Sequence, residues 1–242
     1  MSQSSPATTI DAVPRGRFSP VRDGLFIASA VCMAVLLYLV FFVVPTDANL
    51  GVSQRILYFH APVAILSMVS IVVVAVASGA HLITRSAKWD SFAYASAEIG
   101  IILASLTIIV GAIWAKPVWG VWWTWDAKLT LTLVMWFIYA SYLMLRAYGP
   151  KGSQGARYGA VLALIGALDA PIIYFAAELW RTAHPELVVG PAADSGAMDP
   201  TMRTALLVGF LAFTVLYVYM LIERYALKRT EAGIDDLYQH IS

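Results

Sequence analysis

Residues 92–145 read FAYASAEIGIILASLTIIVGAIW (92–114), AKPVWGVWWTWDAK (115–128) and LTLTLVMWFIYASYLML (129–145). Two apolar runs of 23 and 17 residues flank a segment that holds four of the chain's eight tryptophans within seven positions. At a rise of 1.5 Å per helical residue such runs cover about 25–35 Å, enough to cross the hydrocarbon core of a bilayer. Further apolar runs lie at about 25–44, 58–83, 158–178 and 204–222. The pattern predicts an all-α integral membrane protein of six transmembrane helices, with a Trp-rich outer loop between helices 3 and 4.

Composition agrees. The 242 residues are 60% hydrophobic and 13% charged, whereas soluble domains carry about 25% charged residues. No stretch between the spans is long enough for a separate soluble domain of ordinary size. The expected organisation is a polar tail at 1–24, a six-helix membrane domain at 25–228 with its Trp-rich loop at about 114–128, and a second polar tail at 229–242. Arg15, Arg17 and Arg22 precede the first apolar run as they would in a signal peptide. Its twenty uncharged residues and the absence of an A-x-A-like site in PTDANL mark it as a retained helix instead.

Basic residues orient the spans. With the N-terminus inside, eleven of the sixteen Lys and Arg fall on the cytoplasmic side and five outside: Arg55, Lys116, Lys128, Arg181 and Arg203. Both termini are therefore expected in the cytoplasm. A net charge of +1 gives no reason to expect a nucleic-acid partner. The single cysteine, Cys32, lies in the first span, which excludes an internal disulfide, a C-x-x-C redox pair and a C-x-x-C-H attachment site. The chain has no phosphate-binding P-loop, so any ATP hydrolysis belongs to another polypeptide.

Six spans make five loops, and loops one, three and five share one face whatever the orientation. His60, in ILYFHAP, enters span two; the tryptophan cluster is loop three; His184, in ELWRTAHPEL, lies in loop five. The other two histidines, His81 and His240, fall on the opposite side. A histidine at a membrane boundary ordinarily serves as an interfacial hydrogen-bonding group. Two of them on one face, each followed closely by a proline, also suit a metal held by trans imidazoles.

The tryptophans allow two readings. Trp89, Trp114, Trp136 and Trp180 fit an aromatic belt or helix packing. Trp119, Trp122, Trp123 and Trp125 are denser than a belt needs. If their segment is helical, Trp119, Trp122 and Trp123 share a face at i, i+3 and i+4, and the plate suits either a flat π-system or a lipid headgroup layer. Asp126 precedes AKLTLTL and is placed to cap span four. Glu98 and Asp169 are acids within the spans, with no basic partner there, and should face the bundle interior. Asp169-Ala170-Pro171 should break or kink span five.

WGVWWTWD matches the W-G-x-x-W-x-W-D signature of the haem-handling WWD proteins. The six-span length and the two histidines narrow the resemblance to the cytochrome c maturation protein C, or haem exporter protein C, family. The likeness extends from LFIASAV to YALKR. It implies a haem carrier of the bacterial inner membrane, with no enzymatic activity and a periplasmic functional face. His60 and His184 would be axial ligands of a transiently bound haem b. Trp119, Gly120, Trp123, Trp125 and Asp126 occupy motif positions and would cradle the macrocycle, with Trp122 at a variable motif position and Trp114 beside them. Arg55 and Lys128 are the preferred cations for the propionates. The implied partners are an ABC-type ATPase subunit, a permease subunit, a small one-span subunit and a membrane-anchored haem chaperone. Two other readings stand beside this one: a subunit that moves haem or another solute through its own bundle, and a scaffold whose tryptophans dock lipid or partners.

Overall fold

Inside a bilayer the backbone has no water to bond, so a spanning segment must satisfy its own N–H and C=O groups. The computed structural model describes residues 19–150, 152–180 and 198–241, and builds them from helices and short connections. Helix α1 (Pro20–Tyr38) continues through a π-helical turn at Leu39–Val43. A 3₁₀ turn at Val52–Ile56 leads into α2 (Leu57–Thr84). Then follow α3 (Ala87–Trp119), α4 (Ala127–Tyr148), α5 (Gly152–Ala167), α6 (Asp169–Trp180) and α7 (Pro200–Ile241). Six stretches are long and apolar enough to cross a membrane, with α5 and α6 forming the fifth between them. The expected all-α, six-span architecture is the one observed.

Local chemistry sets the helix ends. Pro20 and Pro200 open their helices, where a missing N–H costs nothing. Ser86 caps α3 by accepting from Lys88 N at 3.3 Å. Asp126 caps α4 by accepting from Leu129 N at 2.9 Å, as the sequence suggested. Span five breaks where expected. Pro171 has no N–H to offer the carbonyl of Ala167, so α5 stops there and α6 restarts at Asp169.

Two boundaries differ from the hydropathy reading. α3 begins at Ala87 and ends at Trp119 rather than spanning 92–114, and the loop shrinks to about 120–126. Charge marks where hydrocarbon ends, whereas a helix ends where its backbone turns; Gly120, at φ +76°, makes that turn. At the other end of the chain, α7 carries helical structure through the polar stretch beyond 229 to Ile241.

Helix α2 is central and packs on α3, α5 and α7, while α1 lies chiefly against α7. Small residues and hydrogen bonds hold these contacts, as expected where lipid removes the hydrophobic drive between helices. Ser70 Oγ donates to Ser96 O at 2.7 Å, and Ser96 Oγ meets Tyr217 OH at 3.0 Å, tying α2, α3 and α7 together.

Charge collects at the end of the bundle away from the tryptophan loop. Arg22 of α1 pairs with Glu223 of α7, and Arg146 Nη2 meets Asp90 Oδ2 at 2.7 Å. Glu98 corrects the sequence reading, because it does have a basic partner. Arg224 of α7 grips both its oxygens, with Nη2 to Oε1 at 2.8 Å, and each side chain is only 25% exposed. The partner lies 126 residues away, past the apolar end of span six, where no local pattern links it to Glu98. Arg224→Ala should therefore lower stability by about 2–3 kcal/mol, since it strands a largely buried carboxylate. Adding Glu98→Gln should recover much of that loss. Thermal unfolding of the purified single and double variants in detergent measures both, and equal midpoints for the two would contradict the pairing.

Candidate functional site

His60 sits in the first turn of α2. Pro62, two residues on, cannot donate to the carbonyl of Tyr58. Gly209 of α7 packs against that carbonyl so closely that a Cβ there would lie 2.7 Å from Tyr58 O. The entrance of α2 is thus pressed against α7 on one side. On the other it meets α3. A Cβ on Gly111 would stand 2.9 Å from His60 Cε1 and 3.7 Å from each ring nitrogen, and the ring of Trp114 lies 5.7 Å away at 60°. Gly111 and Trp114, three residues apart, share the face of α3 that receives the imidazole.

A cavity of about 150 Å³ opens beside His60. Gly111 and Trp114 of α3, Trp123 of the loop, Lys128 of α4 and Tyr174 of α6 line it, with apolar residues such as Met68, Ile108 and Met135 behind them. Among its lining residues, Trp114 Nε1, Trp123 Nε1 and Tyr174 OH are buried polar atoms with no hydrogen-bond partner. Buried donors of this kind are normally satisfied, so the unmet ones mark a place suited to an acceptor.

The loop does not form the single helical plate that its spacing allowed. Gly120 ends α3 and its N–H returns to Lys116 O at 3.0 Å. Trp119 stays on the helix, while Trp122 and Trp123 follow the turn. Trp125 also has a left-handed backbone, at φ +55°. The consequence is a split cluster: Trp123 faces the cavity, whereas Trp122 and Trp125 are 57% and 70% exposed. Trp125 stays in edge contact with Trp123, ring centroids 5.6 Å apart. Lys116 Nζ donates to Gly120 O at 2.8 Å and lies 6.0 Å from the Trp122 ring, bracing the turn. Thr124 Oγ1 donates to Asp126 Oδ2 at 3.0 Å, so the residue that caps α4 also anchors the loop.

The structure therefore brings His60, Trp114, Trp123 and Lys128 together. Arg55 is on the preceding 3₁₀ turn, its guanidinium 5.8 Å from the Phe41 ring centroid, and does not line the cavity. His184 lies outside the described residues. His81 is buried at the other end of α2, with Nδ1 3.0 Å from Ser86 O. Gly111 and Tyr174 were missed by the sequence reading. A glycine three residues before a tryptophan in an apolar span was the only signal for the first, and a tyrosine three residues after Pro171 the only one for the second.

The family model described as Heme exporter protein C matches residues 15–235. Proteins called Heme exporter protein C from Bradyrhizobium diazoefficiens and Escherichia coli K12 are 34% and 35% identical to this chain over 215 and 193 residues. Those alignments cover 87% and 79% of this chain, and 81% and 77% of the relatives. One from Haemophilus influenzae is 33% identical, covering 76% of this chain and 74% of the relative. The chain belongs to the haem exporter protein C family.

Proposed function

We propose that this protein is the haem-binding and haem-delivery subunit of a cytochrome c maturation system. It holds haem at the periplasmic face of the inner membrane and presents it to a membrane-anchored chaperone. The observation that carries the reading is the convergence of His60, the buried indole N–H groups of Trp114 and Trp123, and Lys128 on one cavity beside the tryptophan loop.

The residues suit that cargo. Haem iron accepts imidazole nitrogen, so His60 and His184 would be the residues that hold it. A dry cavity of about 150 Å³ takes a group the size of a benzene ring. The cavity at His60, of that volume, admits only an edge of a macrocycle. The remainder lies against the loop, where the half-exposed Trp119 and the outward Trp122 and Trp125 provide broad flat surface, with Gly120 and Asp126 shaping the turn. Lys128 is placed for a propionate at the cavity, and Arg55 for one nearer the first loop. Trp122 and Trp125 stand where a docking chaperone would meet the bound ring.

The charge distribution supports the orientation. The Arg- and Glu-rich end of the bundle, with Arg22, Arg146 and Arg224, is cytoplasmic by the positive-inside bias, which leaves the tryptophan end outside. An ABC-type ATPase subunit, a permease subunit and a small one-span subunit would complete the assembly in the bilayer. Transport through the chain's own bundle loses half its support, because Glu98 is occupied by Arg224.

The full-length chain purified from membranes should carry haem with a bis-imidazole absorption spectrum. An unchanged spectrum in the His60→Ala, His184→Ala double variant would overturn the ligand assignment.

A further inference from the structure

We infer that Gly111 is a positioning residue: its missing side chain forms a slot in α3 that sets the orientation of the His60 imidazole. The inference rests on the ligand role proposed for His60 and adds what holds that ligand in place.

The geometry is specific. A Cβ on Gly111 would meet Cε1 at 2.9 Å, with both ring nitrogens farther off at the same 3.7 Å. The imidazole therefore stands with its Cε1 edge toward the backbone of α3 and a nitrogen on either side of that contact. Trp114, one turn along the same face, limits the ring from the side at 5.7 Å between centroids. Ordinary contact between carbon atoms is about 3.5–4.0 Å. One added methyl would therefore drive the ring back by roughly 0.5–1 Å, beyond the ~0.5 Å within which a binding constellation must be held.

Which side yields follows from stiffness. Gly111 lies within a helix of 33 residues, and alanine is the better helix former. The imidazole turns about two single bonds. Crowding at this point displaces the ligand and leaves the fold in place.

Gly100 provides the control. It is on the same helix, and a Cβ there would be equally crowded, 2.7 Å from Ser70 Oγ, but eleven residues from the slot. Full-length Gly111→Ala and Gly100→Ala proteins are compared with the unaltered chain by absorption spectrum and haem titration. Gly111→Ala should shift the imidazole-ligated bands and weaken haem retention on the order of tenfold or more, and Gly100→Ala should do neither. In a His60→Gly background supplied with free imidazole, which can settle where it fits, Gly111→Ala should lose its effect. In haem-free protein, carbethoxylation of His60, followed by mass spectrometry, should proceed at an altered rate in Gly111→Ala only.

An unchanged spectrum and affinity in Gly111→Ala, or an equal defect in Gly100→Ala, would overturn the inference. So would a defect that persists with free imidazole. If the unaltered chain shows no imidazole-ligated haem, the ligand reading itself fails. The carbethoxylation rate then still reports whether Gly111 sets the ring.

Discussion

Replacing His60 by alanine is expected to lower the haem retained by the purified chain on the order of 100-fold, and to remove the bis-imidazole pattern from what remains. The size follows from what the substitution takes away. Disturbing groups that merely orient a metal ligand typically costs 10–100-fold in affinity, so removing the ligand proposed here should reach at least the top of that range. The protein should stay folded, because the ring borders a cavity and the entrance of α2 is held by Gly209 and Pro62 rather than by the imidazole. His81→Ala separates ligation from general damage. It deletes a buried ring whose Nδ1 meets Ser86 O, which should cost about 1 kcal/mol of stability and leave the spectrum untouched. Spectra and pyridine haemochrome quantitation of the two variants, at matched protein concentration, decide the matter. Equal haem loss in both would mean that His60 matters only to packing.

How much of this was legible beforehand depends on the range of each interaction. The six spans were readable because hydropathy is summed over about twenty residues and lipid imposes that length. Asp126 as a cap and Pro171 as a break were readable because each acts within four residues of itself. The arrangement of the tryptophans was not. It turns on two left-handed backbone positions, Gly120 and Trp125. A glycine signals such a turn, whereas a tryptophan ordinarily argues against one. Gly111 and the Glu98–Arg224 pair were hidden for another reason. Both are contacts between helices, Gly111 with His60 and Glu98 with a residue 126 positions on, and neither leaves a periodic trace in its own segment. Loop parity supplied what periodicity lacked: it put His60 and the tryptophan cluster on one face, and of the two cations flanking them in the sequence, Arg55 and Lys128, Lys128 lines the cavity and Arg55 does not.

Gly209→Val should produce the largest stability loss among single substitutions near the site, and should weaken haem retention as well. Gly209 is opposite the one carbonyl in the first turns of α2 that Pro62 leaves without its helical N–H. A Cβ there would lie 2.7 Å from Tyr58 O and 3.4 Å from Pro62 Cγ. Neither neighbour can swing away: one is backbone and the other a closed ring inside a helix. The strain must be met by separating α7 from α2, and overpacking of this sort costs about 1–3 kcal/mol or more. The separation also removes the close backbone approach that small residues permit between membrane helices. Its functional consequence follows from position. Tyr58 and Pro62 bracket His60, so any shift of their backbone carries the imidazole with it and pulls it out of register with Gly111 and Trp114. Gly166→Ala would meet side-chain atoms only, Ile138 Cγ2 at 2.6 Å and Tyr139 Cε2 at 3.2 Å, and neither belongs to the entrance of α2, so it should cost less and leave haem retention unchanged. Unfolding midpoints and haem titrations of the two variants test both halves of the claim. A Gly209→Val protein with normal stability would show that α7 does not press on the entrance of α2. One that is destabilised but binds haem normally would show that this pressure has no bearing on His60.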